Sequence, residues 1–119
     1  MKVSIILVNY NSSALLRQCL KSIYEQTKEF PFEIIAVDNA SSDNSREIVC
    51  SEFSCIQPIN SAENLGFIRG NNLGASLAKG TYLLFLNTDT ILFENSIKAL
   101  ADFLDEHPTV GAVGPKILF

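Results

Sequence analysis

Apolar and polar positions along the chain fall into blocks that alternate between two periods. VSIILVN (residues 3–9) is an apolar, β-rich run of the kind expected of a strand covered on both faces. Asn11, Ser12 and Ser13 follow with helix-start chemistry. Leu16, Cys19, Leu20 and Ile23 then recur at i, i+3, i+4 and i+7, a helical stripe. EIIAVD (33–38) reads as a second strand, and a helix is predicted from about Asp43 to Phe53. CIQPI (55–59) is a weaker strand in which Pro58 suits an edge position. NSAENLGFIRGNNLG (60–74) is a polar, glycine-bearing connection leading into a helix that ends near Lys79, with Gly80 as its stop. TYLLFL (81–86) fits a buried strand. Ile97, Leu100, Ala101 and Leu104 repeat the helical stripe and place a helix over 94–106, ended by His107-Pro108. VGAVGPKIL (110–118) is a fifth strand or strand-like run. Strands alternating with helices of this length predict an α/β fold with a mainly parallel sheet, right-handed crossovers and helices on both faces. No internal repeat, low-complexity segment or linker interrupts the pattern.

Composition narrows the picture. A chain of 119 residues is enough for one domain, with 47% hydrophobic and 18% charged residues as in a folded protein. The formal net charge of -4 argues against a general binder of nucleic acid, which needs a basic surface. An anionic small ligand would have to be held by local amides, helix ends or a metal. The three cysteines, Cys19, Cys50 and Cys55, have no metal-ligand spacing; Cys19 falls on an apolar helix face, and reduced thiols fit a cytoplasmic protein. No apolar run reaches the ~18 residues of a transmembrane helix. The apolar ending VGAVGPKILF is read as the cut end of a longer polypeptide, so residues 1–119 are expected to be one part of a larger domain with an exposed apolar surface.

In open parallel sheets, ligands bind beyond the carboxyl ends of the strands. Here those ends carry Asn9-Tyr10-Asn11, Asp38-Asn39 and Asn87-Thr88-Asp89, and the segment after the third strand carries Asn64, Gly66 and Asn72. Each has a plain structural explanation. Asn11 suits a turn or helix cap, Asp38 a loop cap, Ser41, Ser42 and Asp43 the start of the next helix, and Gly66 and Gly70 positive φ or close backbone approach. Asn87-Thr88-Asp89 fits an Asx turn as well as it fits an oxygen site for Mg²⁺ or Mn²⁺, which take one or two carboxylates with substrate phosphates and water. Neither GxGxxG nor GxxxxGK[ST] is present, which disfavours a nicotinamide Rossmann domain and a P-loop. Arg69 reads as a solvated loop residue. His107, the single His, reads as a helix-end residue, and no Ser/His/Asp or Cys/His constellation is available.

Taken in order, VSIILVNYN, EIIAVDNASSDNS, ENLGFIRGNNLGASLAKGTYLLFLNTDT and VGAVGPKI closely resemble the N-terminal half of family 2 glycosyltransferases, and within them the bacterial rhamnosyltransferase-like members that build surface polysaccharides. The resemblance covers essentially the whole chain. It implies a GT-A fold, truncated here, and inverting transfer of a sugar from a nucleotide-diphosphate sugar to the hydroxyl of a saccharide or lipid-linked saccharide. It places Asn9, Tyr10 and Asp38 around the nucleoside, counts Asn11 among the nucleotide-sugar-binding residues, and sets Asn64, Gly66 and Asn72 along the donor cleft and Asn87, Thr88 and Asp89 at the family's Asp-x-Asp position. Asp89 would meet a Mg or Mn cation, and Asn87, standing where the first Asp is usual, would meet it through water. The catalytic base has no counterpart here and is expected beyond Phe119, so the chain would hold the donor half-site without turnover. Cytoplasmic location, with peripheral contact at the inner face of the membrane, follows from the same resemblance. Two rivals are weaker. A sugar-phosphate nucleotidyltransferase wants a Gly-rich basic loop where NYNSSALLRQ stands, and a non-enzymatic receiver-type interaction module wants acids where Asn9 and Asn11 stand.

Overall fold

A computed structural model describes residues 1–117. The elements are β1 (Val3–Asn9), α1 (Ser13–Gln26), β2 (Phe32–Asn39), α2 (Ser45–Ser51), β3 (Ile56–Ser61), α3 (Gly66–Ser76), β4 (Tyr82–Asn87) and α4 (Ser96–Glu106). The strands form one parallel sheet in the order β3-β2-β1-β4. The strand–helix alternation read from the sequence therefore gives the predicted class. β1 is central, which is why its side chains are buried toward both faces. One face carries Val3, Ile5 and Leu7 of β1 and Ile34 and Ala36 of β2, packed with Leu16, Leu20 and Ile23 of α1, Val49 of α2 and Ile97 and Ala101 of α4. The other face is met by α3.

α3 comes close to that second face because it presents glycine there. A Cβ on Gly74 would stand 2.6 Å from Ile6 Cγ2, and one on Gly70 would stand 2.9 Å from Val8 Cγ1. Close approach explains Gly70 as the sequence suggests, while Gly66 takes the positive φ of 79°. Gly80 has a different task from the one expected. α3 stops at Ser76, and Gly80 instead lets the chain pass against β1, where its amide donates to Ser4 Oγ at 2.8 Å. Ser4 Oγ donates in turn to Glu33 Oε1 at 2.5 Å, and that oxygen also accepts from the Lys79 amide at 2.7 Å. A polar knot thus closes the amino ends of β1 and β2.

Three expectations change. The connection over 60–74 is shorter than predicted, because β3 runs to Ser61 and α3 begins at Gly66. The buried reading of β4 fails: Tyr82, Leu84 and Leu86 are half-buried, and Leu83 and Phe85, in register with Ser4 and Ile6 on the α3 side of the sheet, are 45% and 52% exposed where α3, packed over β1 and β2, leaves β4 uncovered. Residues 110–117 form no strand and are exposed, and Leu118 lies outside the described residues. Among the described residues no helix is long and apolar enough to cross a membrane.

Candidate functional site at the carboxyl edge of the sheet

The register sets the row of strand ends. Asn9 lies opposite Asp38, Asp38 opposite Asn60 and Asn39 opposite Ser61, while Asn87 lies opposite Val8 on the other side of β1. Side chains alternate along a strand, so Asp38 and Asn39 point to opposite faces. Each anchors a different helix.

Asp38 is 6% exposed. Its Oδ1 accepts from Asn9 Nδ2 at 3.3 Å, and its Oδ2 accepts from the Ser41 amide and from Arg46 Nε, both at 2.9 Å. Arg46 Nη2 also donates to the Ser61 carbonyl at 2.8 Å. Burial pushes the Asp38 carboxyl up, but hydrogen bonding by Ser41, Arg46 and Asn9 outweighs it and holds the group below the usual aspartate value. A carboxylate has about four lone-pair positions, so three of them are already filled. Asp38 is therefore first a clamp on the strand ends, and direct contact with a ligand is left to the remaining lone pair on Oδ1. Asn9 is also turned inward, 2% exposed, with Nδ2 shared between Asp38 and Ser41 and with Oδ1 buried and unpartnered among the described residues.

The loops after β1 and β2 are joined side by side. Asn11, at φ 45°, accepts through Oδ1 from the Ser42 amide at 2.8 Å, and its own amide donates to Ser41 Oγ at 3.0 Å. Of the turn or helix cap expected of Asn11, the turn is what forms. Ser41 and Ser42 likewise hold the neighbouring loop and do not cap α2. The capping carboxylate is Asp43, and it serves two helices. Its Oδ2 accepts from the Ser13 amide of α1 at 3.1 Å and its Oδ1 from the Ser45 amide of α2 at 3.0 Å. Tyr10 stands out of this network and is 51% exposed.

Asn39 performs the matching task on the other face. Its Nδ2 donates to the Gly66 carbonyl at 3.1 Å and its Oδ1 accepts from the Leu65 amide at 3.3 Å, which fixes the start of α3 to β2. Asn64 Oδ1 accepts from the Gly66 amide at 2.9 Å and completes the turn. Asn72 is not part of this group: it is exposed and lies six residues into α3, about 9 Å along the axis from Gly66.

The end of β4 contrasts with all of this. Thr90 N donates to the Asn87 carbonyl at 3.1 Å, so the turn is closed by backbone. Among the described residues the side chains of Asn87, Thr88 and Asp89 make no hydrogen bond, so the Asx turn, one of the two readings of this stretch, is absent. Asp89 is exposed, and its charge is felt by Cys19, whose thiol is pushed up to about 12 first by burial and then by that carboxylate. The thiol stays protonated and unreactive at neutral pH. No group of three or more His, Cys, Asp or Glu side chains comes together among the described residues. A free carboxylate with a neighbouring amide fits an oxygen-ligated Mg²⁺ or Mn²⁺ only where phosphate oxygens and water complete the shell.

Sequence reasoning found the strand ends and placed Asp43 at the start of α2, but missed Asn39 and Arg46 as residues that hold them and α1 as the second helix that Asp43 serves. Asn39 could have been weighed from its place beside Asp38. Arg46 carries no local signal, because its second partner is fifteen residues away.

The chain matches the family described as "Glycosyl transferase family 2" over residues 4–117. It is 32% identical to glycosyltransferase GlyG of Streptococcus pneumoniae over 94% of this chain and 38% of that protein. It is 33% identical to the minor teichoic acid biosynthesis protein GgaB of Bacillus subtilis over 87% of this chain and 12% of that one. The chain thus spans well under half the length of these curated relatives. Among solved structures it superposes on S. aureus TarS 1-349 in complex with UDP with a TM-score of 0.81, 30% identity, and coverage of 91% of this chain and 33% of TarS. The mannosyltransferase PcManGT of Pyrobaculum calidifontis, in complex with GDP-Man and Mn²⁺, gives a TM-score of 0.81 at 25% identity, with coverage of 92% and 34%. With the family match spanning nearly all of its length and the parallel sheet of a GT-A glycosyltransferase, the chain belongs to glycosyl transferase family 2.

Proposed function

We propose that this chain is the donor-binding part of an enzyme that transfers a sugar from a nucleotide-diphosphate sugar to an acceptor hydroxyl, with inversion, in the building of surface polysaccharide. The observation that carries this reading is the unpartnered Asp89 carboxylate at the end of β4, one strand beyond the clamped ends of β1 and β2. Neighbouring strands lie about 4.8 Å apart, so the β2 and β4 ends are separated by about 10 Å. A nucleoside and its diphosphate can bridge that distance. Tyr10, Asn9, Asn11 and Asp38 would form the nucleoside end, Asn64 and Gly66 the α3 side, with Asn72 farther along α3, and Asn87, Thr88 and Asp89 the diphosphate end. The UDP and GDP-Man complexes of the two structural relatives support a nucleotide donor.

Asp89, with Asn87 through water, would hold Mg²⁺ or Mn²⁺, which when bound supplies charge neutralisation to the leaving diphosphate. The chain's own contribution is to orient the donor. The Asp38 clamp and the Asn39 pin fix the two walls, and Tyr10 is free to lie against the base. The base that deprotonates the acceptor is assigned to chain outside residues 1–119, in keeping with the small share of each relative that is matched. A place among the rhamnosyltransferase-like members, a saccharide or lipid-linked saccharide acceptor and a cytoplasmic site at the inner membrane face complete the reading. Calorimetric titration with UDP, GDP and dTDP, each with and without Mn²⁺, tests it. Binding of at least one nucleotide is expected, with no sugar transfer by residues 1–119 alone. Failure to bind any of the three, or robust transfer, contradicts it.

A further inference from the structure

Arg46 is not among the residues assigned to the donor, yet its guanidinium meets the ends of two strands at the carboxyl edge. It sits in the first turn of α2, a helix with no side-chain cap of its own at Asn44. From there its guanidinium reaches two acceptors on different strands: Nε donates to the Asp38 carboxylate at the end of β2, and Nη2 donates to the Ser61 carbonyl at the end of β3. Asp38 passes the constraint to β1 through Asn9. One planar fork therefore sets the relative position of three consecutive strand ends. The Arg46 side chain is 39% exposed, so its outer edge remains open to solvent on the same side of the sheet.

We infer that Arg46 is a positioning residue of the nucleotide site, holding the Asp38 and Ser61 strand ends in the arrangement that receives the nucleoside. The inference rests on the donor-binding reading above. A lysine cannot replace this fork, since a single ammonium on a flexible stem lacks the two fixed, coplanar donors that meet acceptors on separate strands. The role also separates Arg46 from Asp89: disturbing Arg46 should weaken the contact with the nucleoside, whatever the metal does at the diphosphate end. A second arginine provides the control. Arg17 of α1 makes a similar two-pronged contact with Glu52 at 2.8 and 3.1 Å, but this pair joins α1 to the C-cap of α2, outside the site residues.

The test measures dissociation constants for UDP, GDP and dTDP and for the matching free nucleosides, with and without Mn²⁺. The unaltered chain, Arg46→Lys, Arg46→Gln and Arg17→Gln are compared well below each protein's melting temperature, with folding checked by amide NMR. Both Arg46 variants should bind about tenfold more weakly, a change of ~1.4 kcal/mol. The loss should be equal for nucleoside and nucleotide and equal with and without Mn²⁺, while Arg17→Gln binds as the unaltered chain does. In the unaltered chain the Arg46 Nε–H resonance should shift on nucleotide saturation, a readout that does not depend on any variant folding. If the unaltered chain binds nucleotide while both Arg46 variants retain its affinity within twofold, or the Nε–H resonance is unmoved, the Arg46 inference is overturned and the donor-binding reading stands. If the unaltered chain binds no nucleotide, the donor-binding reading itself is overturned, and the role of Arg46 with it.

Discussion

The end of β2 and the end of β4 lie on either side of the same central strand, yet their carboxylates are treated in opposite ways. Asp38 is buried and accepts hydrogen bonds from Asn9, Ser41 and Arg46. Asp89 is exposed and accepts none among the described residues. A carboxylate committed to three donors fixes geometry, whereas one left without donors is available to a ligand. On the proposed donor reading, the contrast divides the edge into a preorganised nucleoside end and an open diphosphate end, and preorganisation is what reduces the ordering cost of binding.

The strongest way to break this contrast is to compare stability after each carboxylate is removed. Asp38→Ala should cost about 2 kcal/mol, less than the 3–5 of a fully buried pair because Arg46 is partly hydrated. Asp89→Ala should lie within about 0.5 kcal/mol of the unaltered chain. Urea unfolding of both variants checks this, and equal costs would remove the distinction. Asp43 sharpens it next. A carboxylate that receives the first amides of α1 and α2 should cost about 1–2 kcal/mol when replaced by alanine, toward the upper part of the range for a single cap. A loss below a few tenths would mean that water replaces it.

Acid provides a smaller test of the same idea. Asp38 and Glu33 both ionise below their ordinary values in the folded chain; at Glu33, burial opposes the shift but hydrogen bonds from Ser4 and the Lys79 amide overcome it. A lowered folded value adds stability that is complete above the unfolded pKa, about 3.9 for Asp and 4.3 for Glu, and is lost as pH falls through the folded value. Stability should therefore decline as pH drops below about 4.5, and Asp38→Asn should flatten part of that decline. Denaturant midpoints between pH 6 and pH 2.5 measure it, and an unchanged slope in the variant would place the acid sensitivity elsewhere.

Much of this was legible in the sequence because it depends on local pattern. The VSIILVN and EIIAVD runs, the helical stripe from Leu16 to Ile23 and the alternation of elements suffice to place the strand ends, and with them Asn9, Asp38 and Asp89. What was hidden depends on pairing between distant segments. Arg46 with Ser61, Asn11 with Ser42, and Asp43 with Ser13 meet only once β1, β2 and β3 are in register. The exposed face of β4 was misread for a related reason: TYLLFL is apolar on both sides, and periodicity alone does not say which side is covered. The end of α3 was misplaced because Gly80 marks a close pass against Ser4 and not a helix stop.

The account depends most on Asp89 acting at the diphosphate end while Asp38 and Arg46 act at the nucleoside end. The most direct measurement is the ratio of UDP affinity with Mn²⁺ to that without it, in the unaltered chain and in Asp89→Ala, with GDP and dTDP in parallel. The account predicts that Mn²⁺ strengthens nucleotide binding at least severalfold in the unaltered chain. In Asp89→Ala that gain should disappear, while the metal-free affinity and the unfolding midpoint stay unchanged. A gain from Mn²⁺ that survives the loss of Asp89 would contradict it.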